Sequence, residues 1–156
     1  MDTNQKNSLA LFKAFPGLAA KLDWLPIADL PTPIQQMNLL AEELDEDDLF
    51  IKRDDLSGKI YGGNKVRKLE FLLAEARTRG SDSVMTFGTA GSNHCLATAI
   101  YTRQLGMEAI SILSPQTNSA AVGRNLLMGY HVGAELHHYH SEPAADRGAA
   151  WQSARR

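Results

Sequence analysis

Gly62-Gly63-Asn64-Lys65-Val66-Arg67-Lys68-Leu69-Glu70 sets a glycine turn, an amine nucleophile and a second cation at the start of a strongly patterned helix. Val66, Leu69, Leu73 and Ala76 recur at helical spacing, and Phe71 and Leu72 widen the apolar stripe. Gly80 stands where such a helix would stop, and Glu75 with Arg79 makes a favourable pair four residues apart. Asn64 reads as the N-cap, which puts Lys65 in the first turn and Lys68 one turn later on the same face.

That placement has chemical consequences. A helix N-terminus carries about half a positive charge, and Arg67 and Lys68 add to it, so a partly buried Lys65 would lose its proton more readily. A neutral lysine amine attacks aldehydes, while unpaired N–H groups and Lys68 suit a phosphate. An aldehyde carrying a phosphate describes pyridoxal phosphate. The alternative is a solvated basic face that caps an ordinary core helix, and these residues alone leave both readings open.

A second stretch bears on the choice. Ser83-Val84-Met85-Thr86-Phe87-Gly88 reads as a short buried strand, Thr89-Ala90-Gly91 as a small-residue turn, and Ser92-Asn93-His94-Cys95-Leu96-Ala97 as the opening of a helix that ends near Gly106. A strand, a tight turn and a helix start bearing Ser and Asn make a hydrogen-bonding site at the carboxyl end of a sheet. Ser92 could equally be only an N-cap.

Taken with Lys52-Arg53-Asp54-Asp55-Leu56 before them, these motifs closely resemble the D-cysteine desulfhydrase and 1-aminocyclopropane-1-carboxylate deaminase family, over about Leu30 to about Gly133. The order and spacing of the three motifs make the resemblance far more specific than any one of them. It implies a tryptophan-synthase-β-like α/β fold (fold type II) with pyridoxal phosphate as cofactor. It implies that Lys65 is the catalytic Schiff-base lysine, that Lys68 contacts the phosphate with Asn64 beside it, and that Asn93 contacts the cofactor ring hydroxyl. Ser92 would lie against the substrate as a second catalytic group, with Asn93 and His94 as pocket residues. In that family the serine is usually preceded by Gln, where this chain has Gly91, which alters the wall beside the reacting carbon.

The implied activity is a pyridoxal-phosphate-dependent lyase or deaminase on a small amino acid, giving an α-keto acid and ammonia, with sulfide if the substrate is cysteine. Two rivals accompany it: an amino-acid synthase or dehydratase of the same fold, and a non-catalytic α/β module that keeps Lys65 by descent.

Composition narrows the partners. Sixteen basic against eighteen acidic side chains give a net charge of −2 and no electrostatic case for nucleic acid or an anionic membrane. No apolar run approaches the roughly 20 residues of a membrane span. The single cysteine, Cys95, cannot form an internal disulfide, which fits a reducing cytoplasm, and it reads as a small buried helix residue. Gly88-Thr89-Ala90-Gly91 lacks the glycine spacing of a nicotinamide-binding turn.

Along the chain, Leu18 to Pro33 is irregular, with Trp24 and Pro26 laid over a core, and Ile34 to Leu40 and Leu49 to Lys52 read as strands. The acidic run from Glu42 to Asp48 reads as an exposed turn. After the Lys65 helix, strands at 83–88, 108–113 and 134–139 alternate with helices at 92–105, 119–129 and from about Pro143, which argues for a parallel, doubly wound sheet. His137, His138 and His140 cluster, but no carboxylate or cysteine completes a metal set. Nothing after Tyr130 resembles a second phosphate loop or a partner for the pyridine nitrogen. The expectation is therefore an N-terminal part of a larger enzyme: residues 1–64 opening a large domain, 65–156 forming an incomplete small one, inactive alone and a homo-oligomer when complete.

Overall fold

A computed structural model describes residues 3–139. Two compact units divide between Phe71 and Leu72, inside the helix that carries Lys65.

The first unit begins with two short helices, α1 (Thr3–Ser8) and α2 (Ala10–Ala14), and a single 3-10 turn at Pro16–Leu18. Strands β1 (Ile34–Gln36) and β2 (Phe50–Lys52) pair antiparallel, Ile34 opposite Lys52 and Gln36 opposite Phe50, with α3 (Asn38–Glu43) between them. The expected strand from Ile34 to Leu40 is thus cut short. Leu39, Leu40, Ala41, Glu42 and Glu43 are strong helix formers, and only three residues of β1 find a partner. Every residue of both strands is exposed, since a two-stranded ribbon has no second layer of its own. The acidic run is exposed throughout and turns at Asp45, where φ is 55°.

Helix α4 (Asn64–Thr78) supplies this unit's core through Val66 and Leu69. Phe12 packs edge-on to Phe71 with ring centroids 6.1 Å apart. Trp24 is buried as expected, but Pro26 is exposed. The segment around them is tied to α4 at one residue: Leu25 N–H donates to the Glu70 carbonyl (2.9 Å) and Ala28 N–H to Glu70 Oε1 (3.2 Å). Leu72, expected to widen the apolar stripe, is exposed, and the fully buried residue beside Leu69 is Glu70.

The second unit is a regular α/β layer. Strands β3 (Ser83–Thr89), β4 (Glu108–Ser114) and β5 (Glu135–His138) run parallel in the order β3-β4-β5, connected by α5 (Asn93–Gln104) and α6 (Ala120–His131). Cys95 to Thr102 are all buried, because alanines and threonines in Cys-Leu-Ala-Thr-Ala-Ile-Tyr-Thr let neighbours close in on every side. Ala99, Ala109 and Ala134 form a small-residue core flanked by Val132 and Leu136.

Helices α4, α5 and α6 end alike. Gly80, Gly106 and Gly133 take positive φ (70°, 76° and 78°), and each following residue donates back to the carbonyl five before it. This double-bonded stop needs a left-handed residue, which glycine adopts without steric cost. Residues 140–156 lie outside the described region, and with them His140, the expected helix from Pro143 and the chain's end.

Inside α5, the Thr102 hydroxyl is fully buried and has no hydrogen-bond partner among the described residues. Replacing it with Val removes an unsatisfied polar group at nearly constant volume. Thr102→Val should raise stability by about 1 kcal/mol, and Gly106→Ala should lower it by about 1 kcal/mol, read from urea unfolding midpoints. A destabilised Thr102→Val would mean that the hydroxyl is bonded in solution.

Candidate functional site

In the first unit the site is built around a loop and a helix start. After β2, a 3-10 turn at Asp54–Leu56 leads to Ser57, which is completely buried. Ser57 Oγ donates to the Gly63 carbonyl (2.9 Å), and Gly63 N–H donates to the Asp54 carbonyl (2.7 Å). A Cβ at position 62 would lie 1.9 Å from the Asp55 carbonyl oxygen, so the chain passes there only as glycine, and Gly63 follows with φ 116°. Helix α4 then takes Asn64 as its first residue rather than as its cap.

On this turn Asn64 and Lys68 are exposed and Lys65 is half-buried. Neither lysine has an ion-pair partner among the described residues, and the first turn carries no acid. Arg67, expected to add positive charge beside Lys65, is instead neutralised by Asp54: Nη2 donates to Oδ1 at 2.6 Å and Nε to Oδ2 at 3.1 Å. Thr32 Oγ1 joins the same carboxylate (3.2 Å) and accepts from Arg67 Nη2 (3.0 Å), while Lys52 Nζ donates to the Thr32 carbonyl. The Arg67 hydrogen bond holds the Asp54 carboxyl below its ordinary value against the opposing effect of partial burial, with Thr32 and Lys52 assisting.

Glu70 was not singled out from the sequence. Burial pushes its carboxyl above the usual value, offset in part by the hydrogen bond from Ala28 N–H and by the charge of Arg67. Its position in the 66-69-70-73 stripe was the available signal.

In the second unit, the turn from β3 into α5 carries Ser92, Asn93 and His94 side by side. Ser92 is the N-cap of α5, its Oγ accepting from Cys95 N–H at 3.3 Å. The cap reading therefore holds and gives the hydroxyl a fixed place. Gly88 permits this packing: a Cβ there would meet Cys95 Sγ and Ser92 Oγ, each at 2.6 Å. Burial raises the Cys95 thiol's pKa, which keeps it in the protonated form.

Asn93 is exposed and His94 half-buried. Two residues that sequence reasoning missed hold the turn. Gln116 Oε1 accepts from Gly91 N–H (2.8 Å), and Asn125 Nδ2 donates both to the Gly91 carbonyl and to Asn93 Oδ1 (2.8 Å each). Gln116 follows the carboxyl end of β4, the edge where ligands of parallel sheets gather, which was the one usable signal.

His137 bonds Glu135 at 2.6 Å on β5. Among the described residues no group of three or more metal-binding side chains forms, and no helix is long and apolar enough to cross a membrane.

Residues 27–156 match the family model described as pyridoxal-phosphate dependent enzyme, and the chain belongs to that family. It is 38% identical over 122 residues to nocardicin C-9' epimerase of Nocardia uniformis subsp. tsuyamanensis, covering 78% of this chain and 35% of that protein. It is 42% identical over 132 residues to the mitochondrial bifunctional D-cysteine desulfhydrase/1-aminocyclopropane-1-carboxylate deaminase of Arabidopsis thaliana, covering 78% of this chain and 32% of that one. A crystal structure of an ACC deaminase homologue superposes with a TM-score of 0.76 at 34% identity, over 89% of this chain and 42% of that one. The expected α/β, tryptophan-synthase-β-like fold is thereby borne out. The chain spans about a third of the length of the curated relatives it matches.

Asp54 makes the stability of the first unit depend on pH. Its folded pKa lies below the ordinary 3.8, so the pair's contribution is complete above that value and is lost as pH falls through the lower folded value. Asp54→Asn should cost about 1–2 kcal/mol at neutral pH and flatten the acid limb below about pH 4 in urea titrations. An unchanged acid limb would show that another carboxyl governs it.

Proposed function

We propose that this chain carries the cofactor-anchoring part of a pyridoxal-phosphate-dependent lyase or deaminase acting on a small amino acid, of the D-cysteine desulfhydrase kind. The donor chemistry fits the cofactor. An aldehyde bearing a phosphate calls for an amine beside a cation and no neighbouring acid, and α4 offers Lys65 in a first turn with no acidic residue and Lys68 one turn later. The first turn of α5 likewise carries no acid, and its start offers the hydroxyl, amide and imidazole groups of Ser92, Asn93 and His94. Bound pyridoxal phosphate supplies the electron sink that stabilises negative charge at the α-carbon of an amino acid.

The observation that carries the reading is Lys65, half-buried on a helix start whose approach is fixed by Ser57, Gly63 and Asp54. In this reading Lys65 Nζ holds the cofactor, then takes and returns a proton at the substrate. Lys68 binds the phosphate, with Asn64 beside it, and Asn93 donates to the ring oxygen. The Ser92 hydroxyl binds the substrate or relays a proton, and His94 lines the pocket. The products are an α-keto acid and ammonia, with sulfide when cysteine is the substrate. Similarity to nocardicin C-9' epimerase favours a second reading, in which a proton leaves the α-carbon and returns to its other face with no group expelled.

Cofactor capture tests the first step. Borohydride treatment with pyridoxal phosphate, followed by peptide mapping, should place the pyridoxyl group on Lys65, with labelling lost in Lys65→Ala. Exposed lysines react with aldehydes unselectively, so a label spread over Lys59, Lys68 and other lysines would sink the assignment.

In a complete enzyme that contains this chain, Ser92→Ala should leave cofactor retention nearly intact while lowering turnover by about 10²-fold or more, measured as keto acid and sulfide from D-cysteine and L-cysteine. Full turnover in that variant would reduce the serine to a helix cap. Racemised amino acid without keto acid would favour the epimerase reading.

A further inference from the structure

The turn before α5 is held at both of Gly91's polar groups by residues beyond β4, and the hydrogen-bond chemistry there assigns more than position. A carbonyl can only accept, so the Asn125 atom 2.8 Å from Gly91 O is its nitrogen. The same nitrogen lies 2.8 Å from the side-chain amide of Asn93, and a donor at that place requires Asn93's oxygen. Starting from one unambiguous acceptor, both amides are fixed: Asn93 turns its oxygen towards Asn125 and its nitrogen away. Gln116 completes the arrangement by accepting from Gly91 N–H, so the residue preceding Ser92 is held through both its N–H and its carbonyl.

We infer that Asn125 is a positioning residue that sets the amide orientation of Asn93, so that Asn93 offers its nitrogen to an acceptor oxygen of the bound cofactor. This deepens the reading above and rests on it, because it takes Asn93 as a cofactor contact. The ligand chemistry follows from the orientation: an oxygen with lone pairs, such as a ring oxygen that loses its proton.

A double-mutant cycle on the full chain separates these roles. Pyridoxal phosphate affinity is read by absorbance titration for Asn93→Ala, Asn125→Ala and the double variant, with thermal unfolding of the cofactor-free proteins as the control for folding. Each single change should weaken binding about tenfold, the value of one lost hydrogen bond, and the double should bind no more weakly than Asn93→Ala alone. The pH midpoint of the bound cofactor's spectral change should move in the same direction in both single variants, a signature that loss of packing would not produce.

Asn125→Asp keeps the size but offers no donor to the Gly91 carbonyl, so it should bind no better than Asn125→Ala. Asn125→Leu, which keeps the volume and offers no donor, replaces the alanine variant if that one fails to fold. Additive losses, wild-type affinity in Asn125→Ala or full rescue by Asn125→Asp would overturn the inference while leaving Asn93 a cofactor contact. An Asn93→Ala that binds normally, or a wild-type chain that takes up no cofactor at millimolar concentration, would overturn the underlying reading and the inference with it.

Discussion

Asp54 is bonded to the chain on both sides of Lys65. Its carbonyl holds Gly63, two residues before the lysine, and its carboxylate holds Arg67, two residues after. The backbone that carries the amine is therefore bracketed by one residue from a different turn, and Ser57 closes the remaining freedom at Gly63. Much of the first unit hangs on this bracket. Thr32 reaches it from the irregular segment, Lys52 reaches Thr32 from β2, and the glycine pair exists because the chain must pass against the Asp55 carbonyl. A charged group that is to act on a ligand needs rigid supports more than it needs neighbours of its own charge. The pairing of Arg67 with Asp54 supplies support while removing Arg67's charge from the lysine's surroundings.

The second unit gives the turn before α5 rigidity by other means. Helix α5 is buried along eight successive positions, so its start cannot drift without disturbing the sheet. Ser92 caps that helix, which makes the position of its hydroxyl a property of the helix itself and not of a loop. Three helices in succession stop on left-handed glycines, and each returns the chain to a strand within a few residues. Such short returns keep neighbouring strands in register and leave the longer connection, between β4 and α6, at the edge that carries Gln116.

What the sequence made legible, and what it did not, follows from the range of the interactions concerned. The start of α4, its glycine stop and the alternation of strands and helices from Ser83 to His138 are local patterns, and they were readable as such. The break between β1 and α3 was not, because the strand is as long as its partner allows and the partner is fourteen or more residues away. Arg67 was recognised as a cation, but its ion pair crosses 13 residues and depends on the turn between. Glu70 was hidden by its own type, since a carboxylate on an apolar stripe is ordinarily a surface residue. Asn125 sits 32 residues from Asn93 on another helix, so only the folded sheet could join them.

Gly91 has no side chain, yet the space beside it is not empty. A Cβ at that position would stand 2.8 Å from Val122 and 3.0 Å from the amide oxygen of Gln116. Any larger residue at 91 must displace the very group that now holds the peptide's N–H. Positions 91 and 116 thus share one volume and one amide between them, and a lineage that lengthens the first has to shorten or redirect the second. Enlarging position 91 alone costs the bond from Gln116, while a paired exchange that shortens position 116 keeps the shared volume filled.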